Sequence, residues 1–316
     1  MKSIDLSEIK KSLIGFDLFI CDSSFESRCL EVASRINTEQ FKEVIICHFE
    51  DNYEEAITNL EKLKELFINY TVVILRKNDP LANYDKIYDE IIGKGFDNAL
   101  FDISTFTREN FLIILQLFRQ NPFQNINLTL CYNPSDKYSS LSGDELGDLW
   151  LSKGVQSIRA VLGYSGDFSP IKGLLLIILV GFEAERAQII LDNFEPDVLY
   201  IGKASYSDSG NSELWRVNKY NFDKILKTNS NANEFEFSCK DVDLTVNALC
   251  EIISANKDKY NIVISPLNNK ISTLAVASTV FRHPEVQICY ASTNLYNINA
   301  YSTPSNYIHV IDADEL

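Results

Sequence analysis

The strongest constraint on this chain is an alternation. Short apolar runs rich in β-branched residues are each followed by a segment whose apolar positions recur at helical spacing. In the first half the runs are Phe16–Cys21, Val44–Cys47, Thr71–Leu75, Ala99–Ile103 and Asn127–Tyr132, with helical stretches at Phe25–Ile36, Tyr53–Phe67, Asn83–Ile92 and Glu109–Arg119. Strands buried on both faces read as continuous apolar runs, and helices between them pack on either side of a parallel sheet. The pattern predicts an α/β, Rossmann-like fold.

The second half repeats the order. Leu174–Val180, Asp197–Ile201, Glu234–Cys239, Asn261–Ser265 and Val286–Tyr290 read as strands. Glu183–Asn193, Glu213–Lys227, Leu244–Asn256 and Ile271–Phe281 read as helices, and a last apolar run, Tyr307–Ile311, reads as an edge strand. A fixed order recurring along a chain is the mark of an internal repeat. The expectation is two parallel-sheet domains related by duplication, 1–135 and 173–316. The connector, 136–172, gathers Gly143, Gly147, Gly154, Gly163 and Gly166.

Ligands of doubly wound sheets bind at the carboxyl ends of the strands, where strand order reverses. The loops there recur between the halves. After the first strand come Ser24-Phe25-Glu26-Ser27-Arg28 and Gly181-Phe182-Glu183-Ala184-Glu185-Arg186. After the fourth come Asp102-Ile103-Ser104-Thr105-Phe106-Thr107-Arg108 and Ser265-Pro266-Leu267-Asn268-Asn269-Lys270. Thr107 and Asn269 suit helix N-caps, which puts Arg108 and Lys270 in a first helical turn. There a cation opposes the helix dipole, and a bound anion turns that penalty into a gain. Ser23-Ser24-Phe25-Glu26 also matches a capping box, in which the glutamate returns to the cap amide.

Charge sharpens this reading. The 29 Lys and Arg stand against 44 Asp and Glu, a net −15. Such a surface repels duplex nucleic acid and anionic lipid, whose affinity comes from neutralisation by cations. Arg28, Arg108, Arg186 and Lys270, recurring at matched strand ends, predict a local pocket for a small phosphorylated ligand held between the halves. Ser24, Ser104, Thr105, Thr107, Gly181, Ser265, Asn268 and Asn269 surround it, and Tyr132 and Tyr290 at the ends of the fifth strands are available to stack on a base.

Other chemistry is sparse. Seven scattered cysteines without a CxxC pair predict reduced core thiols in a cytoplasmic protein. The longest apolar stretch, Gly173–Phe182, is ten residues, against about 20 for a membrane span, and the first residues carry no leader-like apolar segment. Three histidines offer no metal spacing, and neither metal nor cofactor is expected. If the protein has catalytic carboxylates, they are Asp22, Glu26 and Asp102, because Gly181 and Ser265 replace two of them in the second half.

In the fourth-strand loops, Ser265–Lys270 followed by Ile271–Ala277 resembles the loop and small-residue helix of the CARF and SAVED group of sensors. Asp102–Arg108 before Phe111-Leu112-Ile113 is a looser likeness. The resemblance implies a tandem Rossmann-like sensor for a cyclic oligonucleotide in prokaryotic anti-phage defence, with a separate effector protein as partner. The alternatives are a nucleotide-processing hydrolase using the first-half carboxylates and a scaffold subunit of a defence complex.

Overall fold

In a computed structural model the protein is described over residues 1–50, 53–137, 150–207, 212–298 and 302–316. Gly143 and Gly147, and part of the Ser/Gly-rich stretch before residue 212, lie outside the described residues. In chain order the elements are β1 (Lys2–Asp5), α1 (Ile9–Ser12), β2 (Leu18–Ser23), β3 (Glu43–Phe49), α2 (Glu54–Leu66), β4 (Tyr70–Leu75), α3 (Pro80–Ile91), β5 (Asn98–Asp102), α4 (Arg108–Phe118) and β6 (Asn127–Tyr132). The short strands β7 (Ser135–Lys137), β8 (Ser152–Lys153) and β9 (Ser157–Ala160) follow. Then come β10 (Gly173–Leu179), α5 (Ala184–Phe194), β11 (Val198–Ala204), α6 (Ser212–Thr228), β12 (Asn233–Phe237), α7 (Val242–Asn256), β13 (Tyr260–Pro266), α8 (Lys270–Arg282) and β14 (Gln287–Ser292). The chain ends in β15 (Leu295–Tyr296), β16 (Thr303–Pro304) and β17 (Tyr307–Asp312).

Two sheets organise these elements. One runs β1-β17-β6-β5-β2-β3-β4, the other β12-β11-β10-β13-β14-β9. In the first, β4, β3, β2, β5 and β6 are mutually parallel; in the second, β12, β11, β10, β13 and β14 are. The first and fourth parallel strands are neighbours in each, β2 beside β5 and β10 beside β13, so the strand order reverses there. The α/β Rossmann-like class is therefore observed.

Two compact units result, Met1–Ser139 with Ile298–Glu315, and Ser140–Asn297. This corrects the expected boundaries. Tyr307–Asp312 is not an edge strand of the second half: it lies inside the first sheet, antiparallel to β6 on one side and β1 on the other. Likewise β9, placed in the connector by sequence, pairs antiparallel with β14. The physical reason is burial, since Ile308 and Ile311 are core residues of the first unit that no local hairpin supplies.

Each sheet is covered by apolar helix faces. Phe19, Val44, Ile46, Leu63 and Leu100 anchor the first core, and Leu176, Ile178, Ile190, Ile201 and Val263 the second. Helices α4 and α8 are buried almost throughout, with Ile271 to Val280 inaccessible without a break. All seven cysteines are free thiols, six of them buried. Burial pushes Cys21, Cys47 and Cys131 well above the ordinary thiol range.

Candidate functional site

The carboxyl edge of the first sheet carries a continuous polar network. Asp22, ending β2, accepts the Thr105 hydroxyl at 2.5 Å, so the loops after β2 and β5 are tied across the point of strand reversal. Asp102, ending β5, accepts the backbone N–H of Ser104 at 3.0 Å and its hydroxyl at 2.5 Å. Ser104 Oγ in turn accepts the N–H of Asn133 at 2.8 Å, which brings in the end of β6. Ser23 Oγ lies 2.6 Å from His48 Nδ1, across the parallel pair β2 and β3.

Arg28 does not face an open anion pocket. Its Nη2 and Nε stand 2.6 and 2.9 Å from Glu26 Oε2, and its Nη1 donates to the Asn133 carbonyl at 2.8 Å. Both side chains are buried, and Ser302 Oγ donates to the same glutamate oxygen at 2.5 Å. This corrects two expectations. Glu26 serves Arg28 rather than a cap amide, and Phe25–Ile36 is not an α-helix but a 3-10 turn, Ser27–Leu30, followed by hydrogen-bonded turns. Residues two apart point to different sides of an α-helix, so a pair at positions 26 and 28 excludes one. Phe25 packs edge-on against Tyr53, with ring centroids 5.6 Å apart.

The second half answers with the same residue types. Glu183 Oε1 accepts the N–H of Ser152 at 2.7 Å and its hydroxyl at 2.8 Å. Arg186 lies 3.5 Å from Glu183 Oε2 and also donates to the Ser152 hydroxyl. Here the pair is spaced by three, which a helix allows, and α5 forms directly after Glu183. Arg186, like Arg28, is therefore engaged in an ion pair within the protein, here with a half-buried glutamate.

Gly181 and the asparagines close the strand ends of this half. A Cβ on Gly181 would overlap the carbonyl oxygen of Leu267, so the loops after β10 and β13 meet only because the position is glycine. Asn268 Nδ2 donates to the Val180 carbonyl at 2.7 Å, and Asn269 Nδ2 to the Cys239 carbonyl at 2.7 Å. Asn218 and Asn221 of α6 add bonds to Val180, Gly181 and Phe182 carbonyls. Sequence reasoning missed these two; their signal was a pair of amides three apart on a helix whose neighbours Val217 and Phe222 are core. Ser265 is buried at the end of β13, and its hydroxyl has no hydrogen-bond partner among the described residues.

Arg108 and Lys270 are placed as expected. Each is the first residue of its helix, preceded by a working cap: Thr107 accepts from the N–H of Asn110, and Asn269 from that of Ser272. Both cations are half-buried at the carboxyl edge of their sheets. Ser24, also half-buried, accepts the Glu26 N–H at 3.3 Å. The first unit adds a cleft of about 310 Å³ lined by Glu50, Arg76, Lys77, Asn78 and Asp79. The Arg76-Lys77 pair just ahead of Pro80 was visible in sequence and was not singled out. Tyr132 is buried and stacked on His309 at 6.2 Å, so it is spent within the protein. Tyr290 is half-buried, with the Arg159 guanidinium 5.9 Å from its ring.

No family model matches the chain, and no curated protein matches it. Among solved structures, the chain is similar to a C2-type ketoreductase from a modular polyketide synthase, at 13% identity and a TM-score of 0.20. The similarity covers 75% of this chain and 66% of the ketoreductase, just under two thirds of that protein. Among the described residues, no helix is long and apolar enough to cross a membrane.

Proposed function

We propose that the protein is a binding module for a small phosphorylated ligand, taken at the carboxyl edges of its two sheets. The observation that carries this reading is the matched placement of Arg108 and Lys270. In a chain of net charge −15, each half keeps one cation at the first residue of a nearly fully buried helix that follows its fourth parallel strand. The N–H groups of each helix start offer donors to an anion beside the cation, and in α4 Glu109 shares that first turn with Arg108.

Arg28 and Arg186 are engaged by Glu26 and Glu183 within the protein, so the reading rests on the position of Arg108 beside its cap Thr107 in the first unit and of Lys270 beside its cap Asn269 in the second. The chemistry suits a cyclic or linear oligonucleotide phosphate, and the likeness to CARF and SAVED sensors supports the cyclic form, an anti-phage setting and a separate effector. A catalytic role for the carboxylates is disfavoured because Glu26 is held in an ion pair and Asp22 and Asp102 accept short bonds from Thr105 and Ser104. A thermal-shift screen with cyclic and linear oligonucleotides tests the reading. Saturation at about 100 times Kd stabilises by about 2.7 kcal/mol, a rise of several degrees; a flat screen contradicts it.

A further inference from the structure

The two sheets correspond over six strands, and the first adds β1 as an edge strand beyond β17. Read from one side they are β4-β3-β2-β5-β6-β17 and β12-β11-β10-β13-β14-β9, five parallel strands and an antiparallel sixth. The sixth strands come from unexpected places in the chain. After β6, β7 stays with the first unit and pairs with β16, but β8 and β9 join the second, pairing with β15 and β14. After β14, β15 stays with the second unit, and β16 and β17 join the first. Each fifth strand thus leads into a two-strand arm that completes the other unit.

We propose that the chain is a fused pair of equivalent units that have exchanged their carboxyl-terminal arms, so that the strand completing each unit is encoded after the last parallel strand of the other. Exchange of an identical element is a low-cost way to join two copies of a unit. Residue-level matches support it. Tyr132 stands opposite His309 and Tyr290 opposite Arg159, an aromatic ring facing a nitrogen-bearing side chain in both units. Cys131 stands opposite Val310, and Cys289 opposite Ala160. Most tellingly, the hydroxyl that joins each Glu–Arg pair comes from the arm: Ser302 for Glu26 and Arg28, Ser152 for Glu183 and Arg186. A first unit built this way cannot complete its sheet until residues 302–312 have been made.

The native cysteines supply the test. Residues directly opposite on antiparallel strands have Cβ atoms about 4.5–5.5 Å apart, close to disulfide reach. The full-length V310C and A160C proteins, refolded in a glutathione redox buffer and mapped by non-reducing peptide mass spectrometry, report the pairing. The expected result is a bridge from the introduced thiol at position 310 to Cys131 and from that at 160 to Cys289. The crossed bridges, 310 to Cys289 or 160 to Cys131, belong to local hairpins and overturn the proposal, as does a folded protein that forms neither bridge. A second variant, Ile308→Ala, opens a cavity in the arm strand of the first unit. Amide exchange is expected to accelerate roughly tenfold or more in residues 1–137 over that in 150–297; equal or greater acceleration in 150–297 overturns it.

Discussion

Glu26 and Arg28, two residues apart, share one buried carboxylate oxygen: Arg28 Nη2 lies 2.6 Å from Glu26 Oε2, and Ser302 Oγ reaches the same atom at 2.5 Å. Removing one partner of a buried pair leaves the other charge without compensation, which costs about 3–5 kcal/mol. Glu26→Ala is expected to lose that much stability in urea unfolding, with Arg28→Met close behind. Paired replacement by apolar residues should recover part of the loss. Neither variant should change ligand affinity by more than twofold if these residues hold the fold and not the ligand.

Gly181 allows the backbone of the loop after β10 to touch that of the loop after β13. Gly181→Ala forces the two apart, and overpacking of this kind costs about 1–3 kcal/mol. A lowered urea midpoint with an unchanged m value is the expected outcome. Unchanged stability would show that the close approach is not needed.

Asp17 fastens the starts of two strands. It accepts the N–H groups of Asp97 and Asn98 and lies 2.9 Å from Lys42 Nζ. Burial alone would raise its pKa, but the bond from Lys42 and the two backbone donors outweigh it and hold the carboxyl below its ordinary value. A carboxylate with a depressed folded pKa adds stability above the unfolded value, about 3.9, and loses it as pH falls through the folded one. Wild type should therefore exceed Asp17→Ala by about 1–3 kcal/mol at neutral pH. The gap should stay level down to about pH 5 and close as the pH falls further below the unfolded value.

Much of the fold was legible because its signals are local. Apolar runs such as Leu174–Val180 and Val44–Cys47 announced parallel strands, and Thr107 and Asn269 announced their helices, all through interactions within a few residues. What was not legible depends on distant partners. Nothing in the spelling of Tyr307–Ile311 says that it pairs with β6 and β1 instead of β14. Arg28 and Arg186 looked like ligand cations because they recur at matched strand ends and because Glu26, the competitor for Arg28, also fits a capping box. The hydroxyls of Ser302 and Ser152 that secure the ion pairs are 274 and 34 residues away from the arginines. The His48–Ser23 bond was hidden for the same reason, since it exists only because β3 runs beside β2.

The central claim, that Arg108 and Lys270 mark where an anionic ligand is held, is tested most directly by isothermal titration. A panel of cyclic oligonucleotides is titrated into wild-type protein and into Arg108→Ala, Lys270→Ala and the double variant, each shown to be folded. Bonds to a charged group contribute about 1.5–3 kcal/mol, so each single variant should weaken binding at its own unit roughly 10- to 100-fold, and the double variant should weaken it at both. Wild-type protein that gives no heat with any member, or a double variant that binds as tightly as wild type, would contradict the account.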